Sequence, residues 1–158
     1  FSSHCLEHMY NPYKTIMEWW KLLKYGGYLY FLVPDEDLYE QGIFPSTFNS
    51  DHKHTFTIYK RSSWCNKSVN IFNLIKKLKD AKVIKIELQD EGYDYNITNR
   101  IDQTLNKSMA QICVILKKEN AKYKNLNKYS KLLINLVCAF IPKKNIRDNF
   151  RKNLTNTR

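Results

Sequence analysis

Four histidines stand in two short stretches of the chain, His4 and His8 within FSSHCLEHMYNP, His52 and His54 within SDHKH, and each pair lies beside an acid, Glu7 or Asp51. Imidazole titrates close to neutrality, so such clusters can take a proton from a bound nucleophile. His8 and His52 are the candidate catalytic bases. Asp51 and His54 are candidate substrate contacts, although a solvated loop is the plainer reading of Asp51-His-Lys-His54. His4, His8, Asp51, His52 and His54 could also compose a nitrogen and carboxylate metal site. The i, i+4 spacing of His4 and His8 converges only on a helix, however, and a helix starting at Pro12 leaves His4 ahead of it, so no metal is expected. Glu7 and His8 have a simpler use in closing that helix entry, by capping and by interaction with its dipole. Cys5, between two histidines, is a conceivable nucleophile, but a small buried residue is the commoner outcome.

These side chains need a frame. Asn11 can cap a helix whose first position is Pro12, with Ile16, Trp19, Trp20 and Leu23 at helical spacing and Gly26-Gly27 as its stop. The apolar run over residues 28–33 ends at Pro34 and reads as a strand buried on both faces. Helix, glycine turn and buried strand are half of a βαβ unit. DEDLYE then opens a long irregular segment reaching about residue 59, and long ordered loops commonly carry function. Ser62 or Ser63 is placed to cap a second helix that turns Val69, Phe72, Ile75 and Leu78 inward. Residues 81–88 and 109–116 read as strands, paired antiparallel across the polar connection 89–108.

The chain has 158 residues, 43% of them apolar, enough for one globular domain with a sizeable core. Cys5, Cys65, Cys113 and Cys138 fall in no C-x-x-C pair and mostly sit in apolar runs, which favours reduced, buried thiols. The net charge of +11 is unevenly divided: residues 1–116 hold 14 Lys/Arg against 13 Asp/Glu, and residues 117–158 hold 12 against 2. The body therefore carries no nucleic-acid-binding surface, and none is expected as a partner. In the tail, Leu126, Tyr129, Leu132, Leu133, Leu136, Val137 and Phe140 follow a helical stripe ahead of the basic run KKNIRDNFRK. The apolar run LLINLVCAFI is too short for the roughly 20 residues of a membrane span. Residues 126–152 suit either packing on their own domain or adsorption to an anionic membrane surface. With no signal segment in view, the expected location is cytoplasmic, with membrane association through the tail.

Taken in order, SSHCLEH, NP, EWWKLLKYGG and YLYFLVP resemble the central part of S-adenosylmethionine-dependent methyltransferases of the Rossmann-like class. In that family a fourth strand ends in a polar turn of Leu-Glu-His type, a helix leads to Leu-Lys-Pro-Gly-Gly, and the fifth strand ends near a proline. Leu6-Glu7-His8 and Leu23-Lys24-Tyr25-Gly26-Gly27 match in order and spacing, with Tyr25 in place of the proline. The resemblance covers residues 1 to about 118. It implies an α/β fold, a partial Rossmann-like methyltransferase sheet of strands four to seven with the last two antiparallel, followed by a C-terminal helical tail. The domains would be 1–118, the C-terminal part of a methyltransferase domain, and 119–158, the basic amphipathic tail. Phe1 would be the last residue of strand four, with the preceding half of the fold missing.

The resemblance also implies S-adenosylmethionine as methyl donor. Ser3 and His4 would stand beside it, since ligands of open α/β sheets bind outside the carboxyl ends of the strands. The family's glycine-rich turn has no counterpart, because no G-x-G occurs in the sequence, so the cofactor site is incomplete and this chain alone is expected to be inactive. The implied reaction is methyl transfer to a small-molecule, sugar (glycan) or lipid-linked acceptor. The alternative is a non-catalytic half-domain that binds a partner or an anionic membrane surface through its basic tail.

Overall fold

A computed structural model describes residues 1–120. Asn11, in extended conformation, accepts a hydrogen bond from Lys14 N at 3.0 Å and starts α1, Pro12–Leu22, with proline at its first position. Ile16 and Trp20, four residues apart, bury on one face, and Trp20 Nε1 donates to Lys79 O at 2.8 Å. Past the helix, Gly26 takes φ +85°, and a Cβ on Gly27 would lie 2.9 Å from Lys24 O. That turn needs both glycines.

β2, Tyr28–Pro34, pairs parallel with β1, Ser2–Ser3, on one side and antiparallel with β6, Gln111–Lys118, on the other. β5, Ala81–Gln89, completes a mixed sheet of order β1-β2-β6-β5. The last two strands are antiparallel as expected, but β6 starts and ends two residues later than the apolar run suggests. Lys118 ties the extension to the end of α1: its Nζ donates to Trp20 O and Leu23 O at 2.8 and 2.9 Å, and Trp20 O also accepts from Leu23 N. The outer strand β5 is blunted as an edge by its lysines and by a register shift between Val83 and Lys85.

Residues Phe1–Lys118 form one compact unit. Its core gathers Leu29, Phe31 and Val33 of β2, Ile112, Val114 and Leu116 of β6, Ile16 and Trp20 of α1, and Leu6. Contrary to the expectation from the apolar run, residues 28–33 are not buried on both faces. Their side chains alternate, Tyr28 is 54% exposed, and the core lies against one face. Phe1 is not a strand end: it precedes β1, is 81% exposed, and rests its ring 5.0 Å from that of Tyr30.

The second helix also differs from expectation. Residues 62–69 do not wind into a helix. β3, Thr55–Thr57, and β4, Ser68–Asn70, form a short parallel ladder, and Asn70 caps the five-residue α2, Ile71–Ile75. Val69 is thus a strand residue and Phe72 points outward. The cause is Glu36, fully buried after β2. Its Oε2 accepts from Thr55, Ser63 and Ser68, and its Oε1 from Lys60 Nζ at 3.1 Å. The buried charge takes the hydroxyl that would have capped the longer helix.

Cys65 and Cys113 are buried free thiols, Cys5 is half-buried, and Cys138 lies outside the described residues. So do the apolar stripe and basic run of residues 126–152. Among the described residues no helix is long and apolar enough to cross a membrane.

Candidate functional site

Because β1 and β2 are parallel, the segments leaving them emerge on the same side of the sheet. After β1 comes His4 at φ 48°, uncommon for a residue with a Cβ, then a 3₁₀ turn, Leu6–His8, whose Leu6 enters the core and draws Glu7 in with it. After β2, Asp35 accepts from Asp37 N and Leu38 N and caps a π-helical turn, Glu36–Glu40, that delivers Tyr39 and Glu40. The loop that follows returns to the first turn, where Lys53 N and His54 N both donate to Glu7 O, at 2.8 and 3.2 Å. That clamp carries His52 against His8.

The two rings meet edge to face with centroids 5.0 Å apart. His52 Nδ1 lies 2.7 Å from Glu40 Oε1, both residues buried, and His8 Nδ1 lies 3.2 Å from Asp51 O and from Asp51 Oδ2. Oxygen acceptors at Nδ1 put the ring proton there and leave Nε2 of both imidazoles open. His8 Nε2 stands 3.8 Å from Glu7 Oε1. Glu7 is 0% exposed, yet neither of its oxygens has a hydrogen-bond partner among the described residues, nor does Glu40 Oε2.

Glu7, His8 and His52 line a cavity of about 450 Å³, together with His4, Tyr39, Asn49 and Gln111, while Glu40 and Asp51 stand behind its wall. The Tyr39 ring lies 5.3 Å from that of His52, and burial pushes its phenol up to about 12, so the hydroxyl stays a donor at neutral pH. His4 Nε2 is 2.7 Å from Gln111 Oε1, and its Nδ1 is 3.5 Å from Glu7 Oε1, an ion-pair separation. The Glu7 carboxylate raises the His4 imidazole above its ordinary value, burial opposes it, and Gln111 adds to the rise. A larger groove of about 840 Å³ runs between α1 and residues 73–77. Among the described residues its one acid, Glu18, is tied to Lys21 at 2.8 Å, and no imidazole lines it, so the smaller cavity is the candidate site.

Of the residues singled out from sequence, the fold brings His4, His8 and His52 together. Asp51 stands behind His8 with its side chain 72% exposed. Ser3 stays in β1, and His54 is apart from the cavity: its Nδ1 faces Lys67 O and its Nε2 faces Tyr10 O, each at 3.2 Å, so it braces the loop. Glu7 does not cap the helix, since Asn11 does so. Glu40, Tyr39 and Gln111 carried no individual signal, although Glu36 and Glu40 are spaced i, i+4 within DEDLYE. One donor atom each from Glu7, His8 and His52 lie within 4.8 Å of one another. No family model, no curated protein and no solved structure matches the chain.

Proposed function

We propose that the chain is the acceptor-side part of an S-adenosylmethionine-dependent methyltransferase, acting on an oxygen or nitrogen of a small-molecule, sugar or lipid-linked acceptor. The observation that carries this reading is the convergence of His8 and His52 where the parallel pair β1 and β2 ends. The antiparallel pair β5 and β6 supports it as well, being what the resemblance implies for the end of the sheet. At the end of β1 the polar groups a donor would meet are Ser2 Oγ, buried with no hydrogen-bond partner among the described residues, and Ser3 and His4 beside it. With no G-x-G in the sequence, these residues fit the methyl end of the cofactor only.

S-adenosylmethionine supplies an electrophilic methyl group; every other demand falls on the chain. His52 Nε2 takes the proton of the acceptor's hydroxyl or amine, and the buried Glu40 carboxylate fixes the ring and stabilises the imidazolium that results. Tyr39 donates a hydrogen bond that orients the acceptor, and the walls of the cavity hold it for in-line attack.

The test joins the chain at Phe1 to a methyltransferase N-terminal half that carries a glycine-rich turn and a ribose-binding acid. Calorimetry should show S-adenosylmethionine binding by the joined protein and none in the micromolar range by the 158-residue chain. Micromolar binding by the chain alone, or none by either protein, contradicts the reading.

A further inference from the structure

We propose that Glu7, His8 and His52 form a binding site for one divalent transition-metal ion. The three side chains come from a turn after β1 and from a loop more than forty residues later, and their donor atoms fall within 4.8 Å of one another. Glu7 carries the argument. It is fully buried, neither oxygen has a hydrogen-bond partner among the described residues, and the nearby imidazole nitrogens, His4 Nδ1 and His8 Nε2, stand at 3.5 and 3.8 Å. Folded proteins rarely leave a buried carboxylate so poorly satisfied, because its desolvation is costly unless a counter-charge or a metal answers it. His4 offers Oε1 only a 3.5 Å ion-pair contact and no hydrogen bond, and a bound ion would complete the answer.

The imidazoles are prepared for the same ion. Each directs Nδ1 to an oxygen, His52 to the buried Glu40 and His8 to Asp51, which leaves Nε2 as the ring nitrogen available to an ion. A carboxylate behind the far nitrogen is the usual outer support of a metal-bound histidine. Ligand atoms about 2.0 to 2.2 Å from one ion lie roughly 3 to 3.5 Å apart, so the site closes with shifts of about 1 Å or less per side chain. Two nitrogens and one carboxylate oxygen suit Zn²⁺, Fe²⁺ and their neighbours better than Mg²⁺ or Ca²⁺, which favour oxygen alone. Three ligands leave positions open toward the cavity for water or a substrate oxygen, whose proton the ion would make more acidic. This site does not depend on the methyl-transfer reading, since metal uptake is measured on the chain itself; an ion on His52 Nε2 would take the lone pair that proton abstraction uses, so the two are alternatives at that atom.

The experiment titrates the metal-free 158-residue chain with Zn²⁺ and Co²⁺ by calorimetry, with Mg²⁺ as control. The expected result is one Zn²⁺ or Co²⁺ per chain with micromolar or tighter affinity, and no Mg²⁺. Glu40→Gln should weaken binding by roughly 10- to 100-fold and Glu7→Gln or His52→Ala by more. Should a ligand variant fail to fold, the wild-type chain decides by its imidazole nitrogen resonances. Zn²⁺ must move Nε2 of His8 and of His52 and leave His54 in place. No uptake of either ion, uptake indifferent to Glu7→Gln in a folded variant, or shifts confined to other histidines overturns the proposal.

Discussion

Alanine at His52 should lower kcat of the joined methyltransferase by roughly 10²- to 10⁴-fold, the range a positioned general base contributes. His52 is the stronger of the two candidates because its partner is better placed. Glu40 is buried at 2.7 Å from Nδ1, whereas His8 leans on Asp51, which is mostly exposed and also paired with Lys53 at 3.1 Å. His8→Ala should therefore cost less, and Glu40→Gln should fall between the two. Near-normal turnover in both histidine variants across neutral pH would leave positioning alone to carry the rate. A chelator separates proton transfer from metal chemistry at the same residues. Turnover that survives it belongs to the imidazole, and turnover lost with it and restored by Zn²⁺ belongs to the ion.

The second large effect concerns stability and falls on Asp35, which caps the turn that delivers Tyr39 and Glu40. Burial pushes its carboxyl from its ordinary 3.8 up to about 6, overcoming the hydrogen bonds from Leu38 N and Asp37 N that favour the charged form. A folded pKa above the unfolded one means that the folded state binds the extra proton. The favourable contribution is thus complete below about pH 3.8 and is lost as pH rises through about 6, a change of about 3 kcal/mol at about 1.36 kcal/mol per unit. Asp35→Asn keeps the capping oxygen and removes the charge. Urea unfolding of both proteins from pH 4 to pH 7 should show the variant gaining on the wild type by up to about that amount. A constant difference across the range would mean that Asp35 ionises in the fold as it does in the unfolded chain.

Local signals served the frame well where one chemical feature decides one element. Asn11-Pro12 starts α1, Gly26-Gly27 stops it, and an apolar run makes β2. They failed where a distant group decides. Ser63 is a good helix cap by type, but Glu36, 27 residues earlier, takes its hydroxyl, and the helix begins instead at Asn70. The site divides in the same way. Histidines are few, so His4, His8 and His52 stand out in the sequence with Glu7 beside them, but the burial of Glu7 does not, and Glu40 looks like an ordinary surface acid until the fold buries it. Burial follows from neighbours: Leu6 enters the core and takes Glu7 with it, and the π-helical turn after Asp35 brings Glu40 to His52. His54 shows the converse, a chemically apt residue spent on two backbone carbonyls.

One arrangement underlies the site: two imidazoles in contact, each held through Nδ1 and each left with Nε2 available. Long-range proton–nitrogen correlation on the metal-free 158-residue chain at pH 8, above the ordinary imidazole range, reads it directly. The predicted result is the Nδ1–H tautomer for both His8 and His52, with Overhauser contacts between the two rings, whose centroids are 5.0 Å apart. An Nε2–H tautomer at His52, or rings without mutual contact, would contradict the site.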